Sequence, residues 1–141
     1  MILQIEAREK EGIVILDLKG FLTLGDGDLA LRERLATLHQ SGKINIVLNL
    51  KEVTEIDSTG LGTLVFGLAK LRKAGGRLAL LNVNRTHLKL FLLTRLALAF
   101  EFFDDEQDAV NSFFPDRELK HFDVLEFVQQ QEDGAPKEAA C

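Results

Sequence analysis

Ile44-Asn45-Ile46-Val47-Leu48-Asn49-Leu50, followed after six intervening residues by Asp57-Ser58-Thr59-Gly60-Leu61-Gly62, decides how this chain folds. The first run is apolar almost throughout, as in a strand buried on both faces at the centre of a sheet. Beyond Gly60, residues Leu61, Leu64, Val65, Leu68 and Leu71 recur at helical spacing and make a buried stripe. The segment therefore reads as strand, loop, hydroxyl, helix. A hydroxyl at a helix start is exposed, and the unpaired backbone N–H groups there favour an incoming anion. Ser58 thus has the chemistry of a phosphate acceptor.

Working outward, residues 2–6 alternate and predict a first strand, and Gly12 breaks to a second at Ile13–Leu18. The join is too short for a helical crossover, so these two form an antiparallel hairpin. Gly20 and residues 23–28 predict a loop. Leu29, Leu31, Leu35 and Leu38 then predict a helix, stopped by Ser41-Gly42. After the Leu61–Leu71 helix and Gly75-Gly76 come a strand at 78–83, a helix at 87–96 and a strand at 98–103. A final helix at 104–114 opens on acids, which suits its positive N-terminal end. Strands alternating with helices give an α/β fold: a mixed sheet of about five strands flanked by helices.

The chain has 141 residues, is 46% hydrophobic and carries a net charge of −5. That composition suits one folded domain and argues against nucleic acid as a partner, because no basic stripe is present. No window is long and apolar enough for a membrane span, and residues 1–6 lack the layout of a secretory signal. The single cysteine, Cys141, rules out an internal disulfide. The expectation is a cytoplasmic, reducing location without membrane insertion.

Enzymatic motifs are missing. His39, His87 and His121 are isolated in sequence and read as ordinary surface or helix-face residues. No metal-ligand spacing, phosphate-cradling glycine loop or nucleophile elbow is found, and no base is nominated for Ser58 as a nucleophile. No cofactor is expected. Two readings of Ser58 stand. One is a plain helix start, with Asp57 or Ser58 as N-cap and glycines for a tight turn. The other is a regulatory phosphosite. Phosphate adds about −1.5 to −2 charges, which a helix N-terminus tolerates. Its effect would fall on whichever partner surface approaches, with Asp57, and Asp26 or Asp28 if their loop folds nearby, adding repulsion. Phe66 lies off the apolar stripe and reads either as an exposed contact or as part of a broad buried face.

Gly20-Phe21-Leu22-Thr23, the run from Ile46 to Gly62, the run from Gly75 to Val83, the 88–96 helix and the 100–103 strand together resemble the STAS domain. More narrowly, they are similar to the bacterial anti-sigma factor antagonists. The likeness covers residues 2–114. It implies a non-enzymatic module whose serine after the aspartate is phosphorylated by a partner that is both anti-sigma factor and serine kinase. The unphosphorylated form binds that partner and frees a sigma factor. Phosphorylation weakens binding, and a serine/threonine phosphatase resets the cycle. Carried onto this chain, Ser58 is the acceptor and Thr59 the second choice. Thr23, Asp26, Asp57, Ser58, Thr59, Gly60, Leu61, Gly62 and Phe66 form the expected partner-binding set.

Thr23 departs from the acid the family often carries there, which bears on partner choice. The alternative function is a STAS subunit of another assembly, a stressosome or an ABC lipid-transport complex, with no phospho-switch. Beyond Pro115, residues 115–128 are expected to form a helical extension, since Leu119, Phe122, Leu125 and Val128 recur at near-helical spacing. Residues 129–141 are polar and expected to be disordered.

Overall fold

A computed structural model describes residues 3–117. The elements are β1 (Leu3–Lys10), β2 (Ile13–Leu22), α1 (Asp26–Gln40), β3 (Asn45–Ile56), α2 (Ser58–Lys73), β4 (Arg77–Leu81), α3 (Arg85–Leu93), β5 (Glu101–Phe103) and α4 (Glu106–Asn111). The five strands lie in the order β1-β2-β3-β4-β5. β1 is antiparallel to β2, and every later pair is parallel. The Ile44–Leu50 run thus becomes the middle strand of a mixed sheet, with Ile46, Val47 and Leu48 fully buried.

The pleat sends alternate residues of β3 to opposite faces. Ile46, Leu48 and Leu50 join Leu31 and Leu35 of α1, Leu61, Leu64 and Leu68 of α2 and Leu88 and Phe91 of α3 in the main core. Val47 faces the other way, with Ile13, Ile15, Ala79, Leu81 and Phe103, under Ala109 and Val110 of α4. Phe91 meets Phe100 and Phe102 edge-on, with centroids 5.4 and 5.2 Å apart. That geometry favours aromatic pairs and locks α3 onto the sheet.

Several boundaries differ from the sequence expectation. β2 and β3 run on to Leu22 and Ile56. Beyond Asn49, β3 no longer pairs with β4 while its pairing with β2 continues, and its outer half is largely polar and exposed, with only Leu50 and Val53 buried. Register shifts flank Lys19 and Gly20 in β2, and Gly20 sits at φ +115°, a bulge that lets the strand continue where a loop was expected. Leu29 is exposed, because α1 turns Asp28, Leu31 and Leu35 inward. Residues 98–100 belong to a turn rather than to β5, tied by the Ala99 N–H to the Leu96 carbonyl. Leu119 to Val128 and the 129–141 stretch lie outside the described residues.

Candidate functional site

Ser58 is the first residue of α2 and is exposed. Its seat is built by its neighbour. Asp57 has extended backbone geometry, and its Oδ1 accepts from the Gly60 N–H at 2.8 Å, so Asp57 is the N-cap. Its Oδ2 accepts from the Leu24 N–H at 2.9 Å. One carboxylate therefore joins the β3–α2 corner to the β2–α1 loop. The Leu24 and Gly60 amides hold that carboxyl below the usual carboxylate range.

Asp57→Ala is expected to cost about 1 kcal/mol, the usual worth of a helix cap. The cost should also depend on pH. A carboxyl with a lowered folded pKa binds fewer protons in the native state. Its contribution is complete above the ordinary carboxylate range and disappears as pH falls through the folded value. Urea titrations of both proteins at neutral and acid pH should therefore converge at the acid end. A constant gap would contradict the capping role.

The expected site residues are brought together in part. Thr23 and Asp57 line one groove of about 510 Å³, with Thr54, Ile56, Leu90 and Leu93. Asp26 is exposed at the start of α1, whereas Asp28 is buried and paired with Arg32 at 3.1 Å and with the Thr63 hydroxyl. Of the two acids, only Asp26 places its charge at the surface. Thr59 is half-buried and Leu61 belongs to the core, so these two hold the corner in place. Gly60 packs so closely on the Leu22 carbonyl that a Cβ would collide with it, whereas a Cβ on Gly62 would meet open space.

Ser58, Gly62 and Phe66 follow one another at four-residue steps on the outer face of α2. All three are exposed, and Phe66 is 51% exposed. Arg32 and Lys70 lie over its ring, 5.2 and 5.6 Å from the centroid. The ring is thus exposed rather than part of the buried face. It stands about two turns from the hydroxyl, roughly 12 Å along the axis.

Two features escaped the sequence reading. Leu24 and Leu93, 76% and 82% exposed, flank the Asp57 corner with apolar surface. A large apolar residue in a loop rich in Gly and Asp was the available signal for Leu24. The second is the burial of His87, which was expected at the surface or on a helix face and lies on α3 only 5% exposed. Its ring bonds the Thr54 backbone, and its Nδ1 has no partner among the described residues. Burial pushes its pKa below the ordinary imidazole value. The unfolded chain then binds a proton that the native state refuses. Stability should fall as pH drops below about 6.5, by at most about 1.4 kcal/mol per pH unit. His87→Leu should flatten that slope between pH 7 and the onset of carboxylate titration. An unchanged slope would assign it to other groups.

No helix among the described residues is long and apolar enough to cross a membrane, and none of their His, Cys, Asp and Glu side chains cluster as metal ligands. The strand–corner–helix unit presents a capped, exposed hydroxyl on the same face of α2 as Phe66. Residues 4–109 match the STAS domain model, and the chain belongs to the STAS domain family. It is 28% identical over 110 residues to the anti-sigma F factor antagonist of Paenibacillus polymyxa, covering 78% of this chain and 94% of that one. It is 30% identical over 96 residues to the anti-sigma-B factor antagonist of Bacillus subtilis, covering 68% and 86%. A Thermotoga maritima crystal structure described as a candidate anti-sigma factor antagonist superposes with a TM-score of 0.73 at 25% identity, over 77% of this chain and 93% of that one. Both curated relatives are named as antagonists of anti-sigma factors.

Proposed function

We propose that this protein is a cytoplasmic anti-sigma factor antagonist switched by phosphorylation of Ser58. Unphosphorylated, it captures an anti-sigma factor that is also a serine kinase, and a sigma factor goes free. Phosphate transferred to Ser58 Oγ ends the capture, and a serine/threonine phosphatase restores it. The observation that carries this reading is the position of Ser58. It is exposed at the first residue of α2, next to a carboxylate committed to capping. A kinase can reach the hydroxyl, and the helix start accommodates the added charge. The names of the relatives supply the class of partner.

The exposed stripe from Ser58 through Gly62 to Phe66 forms the capture surface in this reading. Gly62 lets a partner backbone approach closely, and Phe66 supplies the aromatic anchor typical of interface hot spots. Leu24 and Thr23 extend the contact around the corner. An adjacent acid, Asp57, places phosphate and carboxylate side by side, which favours a phospho-switch over a static assembly subunit.

Incubation with the anti-sigma kinase of the same cell and ATP tests the assignment. Intact mass should rise by one phosphate in the wild type and in Thr59→Ala, but not in Ser58→Ala. Loss of the shift only in Thr59→Ala would move the acceptor to Thr59. No transfer to any variant would leave the static-subunit alternative.

A further inference from the structure

Beyond Phe66 the seam between α1 and α2 opens into two depressions. Gly67 lets the helices meet closely, since a Cβ there would stand 2.8 Å from Leu35 of α1. Beside this contact lies a groove of about 460 Å³, with Phe66, Ala69 and Ala74 as an apolar floor and His39, Lys70 and Lys73 around it. A smaller crevice adjoins it, shares Phe66 and Lys70 and reaches Arg32. We propose that this seam receives an acidic surface of the captured anti-sigma factor, with carboxylates on Lys70 and Lys73 and an apolar side chain against Phe66. This assignment rests on the function proposed above and adds the chemistry of the partner's surface.

Charge selects this occupant. No carboxylate is among the described residues that line either depression. The segment from Ser58 to Phe100 holds seven lysines and arginines and none of the chain's 22 aspartates and glutamates, a division that the net charge of −5 conceals. The cations of the seam come from two helices, Arg32 from α1 and Lys70 and Lys73 from α2, so only the fold gathers them. Asp28 accepts from the Arg32 Nε at 3.1 Å and holds that guanidinium 5.2 Å from the Phe66 centroid. Arg32 is thereby balanced and fixed, and the exposed Lys70 and Lys73 are left to meet a partner.

The aromatic ring points the same way. Two cations already lie over Phe66, at 5.2 and 5.6 Å from its centroid. A basic partner surface would meet like charge there, whereas an acidic one meets opposite charge. Nucleic acid fits less well, because a single-strand groove needs a basic track and several rings for successive bases, and the seam offers one. Lys70 stands about 18 Å along the axis from Ser58, well beyond the screening length of about 8 Å at physiological salt. The cations therefore leave a phosphate on Ser58 unneutralised, and the switch stays at the corner while the seam attracts.

Stopped-flow association of the full chain with the anti-sigma factor of the same cell is the test. Lys70→Glu with Lys73→Glu should slow association about tenfold at low salt, as expected for charges that steer encounter. The gap should close towards 1 M salt, where the screening length is about 3 Å. Lys70→Gln with Lys73→Gln, which places no acid in the last turns of α2, should give a smaller slowing in the same direction. Lys19→Glu with Lys51→Glu makes the same charge change in the polar groove of Asp17 and Asn49 and should associate as the wild type does. Wild-type rates in the seam variants, equal slowing in the two glutamate pairs, or faster association of the seam pair would overturn the proposal and leave the Ser58 switch standing. An oligonucleotide held by the wild type and lost by the seam variants would overturn it in favour of nucleic acid. A wild-type chain that captures no anti-sigma factor would overturn the functional reading, and this assignment with it.

Discussion

Gly60→Ala should destabilise the protein by about 3 kcal/mol, whereas Gly62→Ala, two residues along the same helix, should stabilise it by roughly 0.5–1 kcal/mol. The difference comes from what a methyl group meets. At Gly60 it runs into the Leu22 carbonyl oxygen and then the Leu22 side chain. Neither can yield easily. Leu22 is paired with Ile56 in the β2–β3 ladder, and its carbonyl accepts from the Asp57 N–H at 3.4 Å. Moving α2 outward would instead break the 2.8 Å cap between the Gly60 N–H and Asp57. At Gly62 the methyl meets nothing within 4 Å, and alanine replaces the residue least suited to a helix interior other than proline.

For a domain of this size, a loss of about 3 kcal/mol lowers the melting point by roughly 10–20 °C. Urea unfolding of the two variants beside the wild type is the measurement. A Gly60→Ala protein as stable as the wild type would mean that the corner holding Ser58 is not packed as described. Gly62→Ala carries a second readout. If a partner backbone lies against α2 there, the stabilised variant should nevertheless bind more weakly.

Ser58→Asp should leave the circular dichroism spectrum and melting point nearly unchanged while weakening capture by the anti-sigma factor about a hundredfold. A carboxylate in the first turn of a helix is favourable by about 0.3–1 kcal/mol, and Ser58 is exposed, so no core contact is lost. The new charge stands beside Asp57, which is held ionised by two backbone amides. A partner that closes over this corner must desolvate two adjacent anions. Like charges forced together at an interface cost several kcal/mol, and each 1.4 kcal/mol is about tenfold in affinity. Ser58→Ala, which adds no charge, should bind as the wild type does. Equal weakening by alanine and aspartate would mean that the hydroxyl itself is a contact and that charge is not the switch.

Most of the fold was legible because the buried elements announce themselves. The Ile44–Leu50 run could only be a central strand, and the Leu61–Leu71 stripe could only face a sheet. What stayed illegible depended on neighbours distant in sequence. The polar outer half of β3 looks like a loop until β2 is known to follow it. His87 looks like a surface residue until α3 is seen to press it against Thr54. Leu29 fits the helical pattern of α1, yet burial of Asp28 against Thr63 rotates the helix and leaves it outside. At the site, Asp57, Ser58 and the two glycines could be read from their order. That Gly60 is structural and Gly62 is open surface could not, because the Leu22 carbonyl that separates them lies 38 residues away in the chain.

The central claim is that phosphate on Ser58 changes binding and leaves the fold alone. Calorimetric titration of the anti-sigma factor with the phosphorylated and unphosphorylated chain, each also melted alone, tests it most directly. Matching melting curves and an affinity lower by about a hundredfold for the phosphorylated form are expected. Equal affinities, or a phosphorylated chain that melts far earlier, would contradict it.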